Sequence, residues 1–86
     1  KTTTNLLRLD ISPNPASQQL RVNLPNGLTG CKLEIYDMNG RLQFSRTTTA
    51  TSETIDVQSF VNGNFVLVMK DKNGKLVGFE RFAVVK

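Results

Sequence analysis

Eighty-six residues hold one domain, enough for a single core but not for a core plus a deep, walled active site. With 38% apolar residues and no apolar run near the ~18 that a membrane helix needs, the chain reads as globular, with no direct membrane insertion. Eleven Lys and Arg against seven Asp and Glu leave a net charge of +4, but the basic residues are scattered without interleaved aromatics, which argues against nucleic acid.

Lys1 to Asn5 reads as the cut edge of something longer, a linker remnant ahead of a domain over 6–86. Leu6 to Ser12 alternates as a strand, with Leu7, Leu9 and Ile11 on one face, and Pro13-Asn14-Pro15 stops it. Gln19 to Leu24 alternates again, and Pro25-Asn26-Gly27 has turn chemistry. Cys31 to Asp37 is the next strand, with Cys31 a small buried hydrophobe beside Leu33 and Ile35 and with Lys32, Glu34 and Tyr36 outward. Arg41 to Arg46 runs back with Leu42 and Phe44 inward, and Thr47 to Ser52 is an exposed loop. Ile55 and Val57 mark a short strand, while Phe60 and Val61 tuck a bend against the core.

Asn62 to Lys86 closes the chain as a hairpin of two long strands. Phe65 to Lys70 is apolar on both faces, which places it inside a sheet. Asp71 to Gly74 reverses the chain, and Leu76 to Val85 returns. Seven strands with regular turn signals predict an all-β, antiparallel, immunoglobulin-like sandwich with Greek-key connections. The last strand reads as an edge with a free end, a template for a partner's strand or for a second copy in a homodimer.

Two stretches, Asp37 to Leu42 and Asp71 to Leu76, share the pattern Asp-x-Asn-Gly-basic-Leu. A calcium loop needs more oxygen ligands than either supplies. The pattern reads as a hairpin turn in which the Asp side chain bonds the turn backbone and Gly takes a left-handed conformation.

Catalytic signals are lacking. With no histidine and one cysteine, the His-based nucleophile systems and zinc sites fall away. Asp10, Glu34 and Glu80 sit on predicted strands with no cleft to converge in. The six glycines are spread over turns and make no phosphate loop. No enzyme and no cofactor are expected, which leaves recognition.

Three motifs in order then carry a resemblance. They are Ser12-Pro13-Asn14-Pro15-Ala16, the run Leu33 to Arg41 containing Tyr36, Asp37 and Gly40, and the run Gly63 to Val68 containing Phe65. A basic–apolar ending follows, Arg81-Phe82-Ala83-Val84-Val85-Lys86. Together they resemble the C-terminal sorting domain of cargo proteins of the type IX secretion system of Bacteroidetes. The resemblance implies a domain that directs its cargo through the periplasm and across the outer membrane. Its implied partners are the type IX translocon and a sortase-like cell-surface peptidase, which removes the domain as the cargo is attached to anionic lipopolysaccharide. The chain departs from the family pattern at Ser12, where an aromatic is usual, at Phe65, where Tyr is common, and at Arg81, where Lys is commoner.

On this reading Pro13, Asn14, Pro15, Tyr36, Asp37, Gly40, Gly63 and Phe65 serve the fold. The terminal strand, Phe79, Glu80, Arg81, Phe82, Ala83, Val84, Val85 and Lys86, serves recognition. The alternative is an accessory module of a secreted enzyme or adhesin that reads carbohydrate or protein through loops at Pro25–Gly30 and Thr47–Ser52.

Overall fold

The computed structural model describes residues 7–24, 30–50 and 52–86. The expected linker remnant and most of the Pro25–Gly30 loop lie outside the described residues. Eight strands follow in chain order: β1 (Leu7–Arg8), β2 (Asp10–Ser12), β3 (Gln19–Asn23), β4 (Lys32–Asp37), β5 (Leu42–Thr47), β6 (Ser52–Asp56), β7 (Gly63–Lys70) and β8 (Leu76–Val84). One sheet has the order β1-β8-β7-β4-β5, the other β2-β3-β6. The first predicted strand is thus one extended stretch that serves both sheets. It runs parallel to β8 at Leu7 and Arg8, then antiparallel to β3 from Asp10. Apart from that two-residue parallel rung, seven antiparallel strands form a β-sandwich, three in one sheet and four in the other. Both predicted hairpins, β4–β5 and β7–β8, are present.

The alternation in the sequence builds the core. Leu20 and Val22 of β3 and Ile55 of β6 face Leu33 and Ile35 of β4 and Phe65, Leu67 and Met69 of β7, all buried. Each such side chain contributes about 1.5–3 kcal/mol on leaving water. Val66 and Val68, on the other face of β7, are half-buried. The strand is therefore central to its sheet, and only its inner face is fully covered. Phe60, Phe65 and Phe82 continue the core toward one end, with ring centroids 5.1 and 5.7 Å apart. Cys31 is buried and unpaired, as its position predicts.

Three expectations are corrected. Leu42 does not face inward with Phe44. Ile35 pairs with Phe44 but Tyr36 pairs with Leu42, so a bulge takes up Gln43 and turns Leu42 outward. Val61 does not tuck against the core. The Phe60 N–H bonds the Val57 carbonyl at 3.0 Å, which aims Phe60 inward and leaves Val61 exposed. The Thr47–Ser52 segment is not simply an exposed loop, because Thr48 is buried. Its N–H donates to the Cys31 carbonyl at 2.7 Å, its hydroxyl accepts from the Cys31 N–H at 3.1 Å, and its carbonyl accepts from the Gly30 N–H at 2.9 Å.

Both Asp-x-Asn-Gly turns close in the same way. Asp37 Oδ1 accepts the N–H groups of Asn39 and Arg41, and Asp71 Oδ1 those of Asn73 and Lys75, all at 2.9 Å. Gly40 and Gly74 take φ of 81° and 82°, the left-handed conformation that the turn requires. The carboxylates are thus occupied by their own turn amides, as the turn reading predicts.

Candidate functional site

The terminal strand divides by side. Phe82 and Val84 point into the core and are buried, Gly78 shares that inner side, and Glu80 lies there half-buried opposite Leu67. Phe79, Arg81 and Ala83 point to the outer face, opposite Val68, Val66 and Asn64 of β7. Beyond the strand, Val85 and Lys86 are exposed. The Lys86 N–H donates to Asn62 Oδ1 at 3.1 Å and its ammonium donates to the Gln58 carbonyl, which holds the chain end against the β6–β7 connection.

The expected free edge is not free. At Gly78 and Phe79 the outer edge of β8 pairs with β1. Further along, Asn14 lies against it in a strand's place: its Oδ1 accepts the Ala83 N–H at 3.1 Å and its Nδ2 donates to the Arg81 carbonyl at 3.3 Å. Ala16 completes the cover. Its N–H donates to the Ala83 carbonyl at 2.8 Å and its carbonyl accepts the Val85 N–H at 2.9 Å. The template expected for a partner's strand or for a homodimer is therefore filled by the chain itself. Sequence reasoning treated Pro13, Asn14 and Pro15 as turn geometry and missed this second task. A signal was present. Two prolines remove two backbone donors, and the one side chain between them carries both a donor and an acceptor.

On the outer face beside β8, Glu34, Tyr36 and Lys70 form a charged cluster. The Tyr36 hydroxyl donates to Glu34 Oε1 at 2.8 Å and Lys70 Nζ lies 3.0 Å from the same oxygen. Glu34 points outward by the pleat, yet it is buried. Its bond to Lys70 holds the carboxyl below the usual range, with Tyr36 adding to the effect against the cost of burial. In turn the bond to Glu34 raises both the Lys70 ammonium and the Tyr36 hydroxyl. Tyr36 is thereby committed to the sheet. At the β4–β5 turn, the Arg41 N–H and then the Asn39 N–H and Arg41 guanidinium hold Asp37 below its ordinary value. Gly63 opens β7 and Phe65 is in the core.

Of the Thr47–Ser52 segment expected to read a ligand, Thr48 and Thr49 are pinned to the sandwich, and Thr51 lies outside the described residues. Besides the Thr48 bonds, the Thr49 N–H donates to Glu53 Oε2 at 3.0 Å, while Arg46 of β5 reaches Glu53 Oε1 at 3.4 Å and the Thr54 carbonyl at 3.0 Å. These groups lock the two sheets along one side.

The family model described as the secretion system C-terminal sorting domain matches residues 10–84. The chain belongs to that family. As a sorting domain of the type IX kind it is the secretion signal of a cargo protein destined for the cell surface or beyond, and it belongs to a non-catalytic family. Its function implies contact with the secretion machinery. No curated protein matches the chain. Among solved structures, one comes from work on PorZ, an essential bacterial surface component of the type IX secretion system of Porphyromonas gingivalis. It shares the sorting domain's fold with a TM-score of 0.76 at 21% identity. That match covers 91% of the present chain and 11% of the other.

Proposed function

We propose that this sorting domain carries its cargo from the periplasm through the type IX translocon of the outer membrane, and that a sortase-like peptidase then removes it. The observation that carries the reading is the family match across residues 10–84. Within the domain, recognition falls on the outward side chains of β8, Phe79, Arg81 and Ala83, together with Val85 and Lys86. What supports this narrower assignment is the occupied edge: a partner meets side chains there, since the backbone donors and acceptors at Arg81, Ala83 and Val85 already serve Asn14 and Ala16. Glu80, Phe82 and Val84 contribute by holding the strand in place.

A reporter fused ahead of residues 1–86 in a type IX-competent host tests the reading. The expected result is reporter at the cell surface or in the medium, with a mass lacking the domain. Reporter retained in the periplasm contradicts the export reading, and exported reporter that keeps the domain contradicts the peptidase step.

A further inference from the structure

The outward side chains of β8 are not all held alike. Phe79 lies on the rung that β8 makes with β1. Toward the chain end, Ala16 fixes the strand through two backbone bonds, one from its N–H to the Ala83 carbonyl at 2.8 Å and one from the Val85 N–H to its carbonyl at 2.9 Å. Arg81 stands between these two supports. On the outer edge its carbonyl accepts from Asn14 Nδ2 at 3.3 Å, and the Ala83 N–H donates to Asn14 Oδ1 at 3.1 Å. One side chain thus bridges the stretch between the β1 rung and Ala16.

The setting of that bridge says what it is for. Asn14 is exposed and adds nothing to the core. The prolines on either side fix their own φ, so the amide is carried on a stiff arm and is aimed before any partner arrives. Among the described residues none bonds the Arg81 guanidinium, so its direction depends on the backbone that carries it. Asn14, Arg81 and Ala83 also line one open concavity of about 350 Å³, with Asn64 and Met38. Asn14 is therefore a wall of the place where a partner would meet Arg81, and not only a support behind it.

We infer that Asn14 is a positioning residue for recognition. Through the Arg81 carbonyl and the Ala83 N–H it fixes the strand so that Arg81 and Ala83 meet the export partner in register with Phe79. The inference rests on the β8 reading above and names what presents that face. Loss of the bridge leaves the fold standing, because β1 and Ala16 still cover the edge on either side of it. It lets the strand shift between those supports, and the face is no longer set in advance.

The test is export of a reporter fused ahead of residues 1–86 in a type IX-competent host, read as the fraction of reporter at the cell surface or in the medium. Asn14→Ala removes both bonds. Gly74→Ala, in the turn at the far end of the β7–β8 hairpin, is the control of equal stability, and Gly40→Ala replaces it if its urea midpoint lies closer to that of Asn14→Ala. Asn14→Gln keeps donor and acceptor on a longer arm. Asn14→Asp, which keeps only the acceptor, stands in for Asn14→Ala if that protein does not fold. A Phe79→Ser, Arg81→Glu fusion reads the face itself. The expected export of Asn14→Ala is about fivefold below that of the intact domain, the change that one net hydrogen-bond contribution makes in an equilibrium. Gly74→Ala stays near the intact level, and Asn14→Gln lies between the two. Undiminished export of Asn14→Ala beside a blocked Phe79, Arg81 variant overturns the inference alone. So does an equal loss in Gly74→Ala, which reduces Asn14 to a matter of stability. Normal export of the Phe79, Arg81 variant removes the β8 reading and this inference with it.

Discussion

Asn14 shows how one side chain can do the work of a strand. Its amide supplies the acceptor for the Ala83 N–H and the donor for the Arg81 carbonyl at a place where the prolines on either side cannot donate. Asn14→Ala should lower stability by about 1 kcal/mol and speed hydrogen exchange at the Ala83 amide, with distant β4 amides unchanged. Equal exchange in the two proteins would remove Asn14 from the edge. Glu34 offers a second test through pH. Its carboxyl is held low by Lys70, so its contribution is present above the ordinary carboxylate range near about 4.3 and is lost as pH falls through the lowered value. Lys70 and Tyr36 are raised, so their contributions are present below their ordinary values near about 10 and are lost as pH rises through the raised ones. Stability should therefore show a plateau between these limits, and Glu34→Gln should flatten both flanks in denaturant titrations across pH.

The turns repeat at the scale of the element what Asn14 does alone. The β4–β5 and β7–β8 hairpins share one device, an Asp that collects two amides and a Gly with φ of 81° or 82°. Gly40→Ala and Gly74→Ala should each cost about 1 kcal/mol, and the double variant about the sum, since the two turns are independent. A clearly unequal pair would mean that one turn is held by something besides its own geometry. β8 makes the opposite point, that neighbours on one strand differ in kind. Phe82→Ala should cost about 3–5 kcal/mol as a buried residue, while Phe79→Ser on the outer face should stay within about 1 kcal/mol, as read by the midpoint of urea unfolding. For the same reason, deleting Arg81–Lys86 would remove Phe82 and Val84 from the core and report on folding before it reported on recognition.

Across the whole molecule, the strands were legible because period-two alternation directly records which face is buried. Leu20, Val22, Leu33, Ile35, Leu67 and Met69 all fall where that pattern puts them. The turns were legible because Asp, Asn and Gly at fixed spacing have few backbone solutions. Pairing beyond adjacent strands was not legible. Nothing local in Leu6–Ser12 says that the segment changes sheets after Arg8, and nothing local in β8 says that residues nearly seventy positions earlier cover its edge, at separations of 67 and 69. The bulge at Gln43 was equally hidden, because one extra residue on one strand leaves the alternation of that strand intact. The edge expected to be free on β8 is therefore closed, and what the strand leaves open is its outer face.

The most direct test of that claim compares export of a reporter fused to the intact domain with export of the same fusion carrying Phe79→Ser and Arg81→Glu. Both purified domains are first shown to unfold at the same urea concentration. The account predicts that the intact fusion reaches the cell surface or the medium and that the folded variant accumulates in the periplasm. Normal export of the folded variant would contradict it.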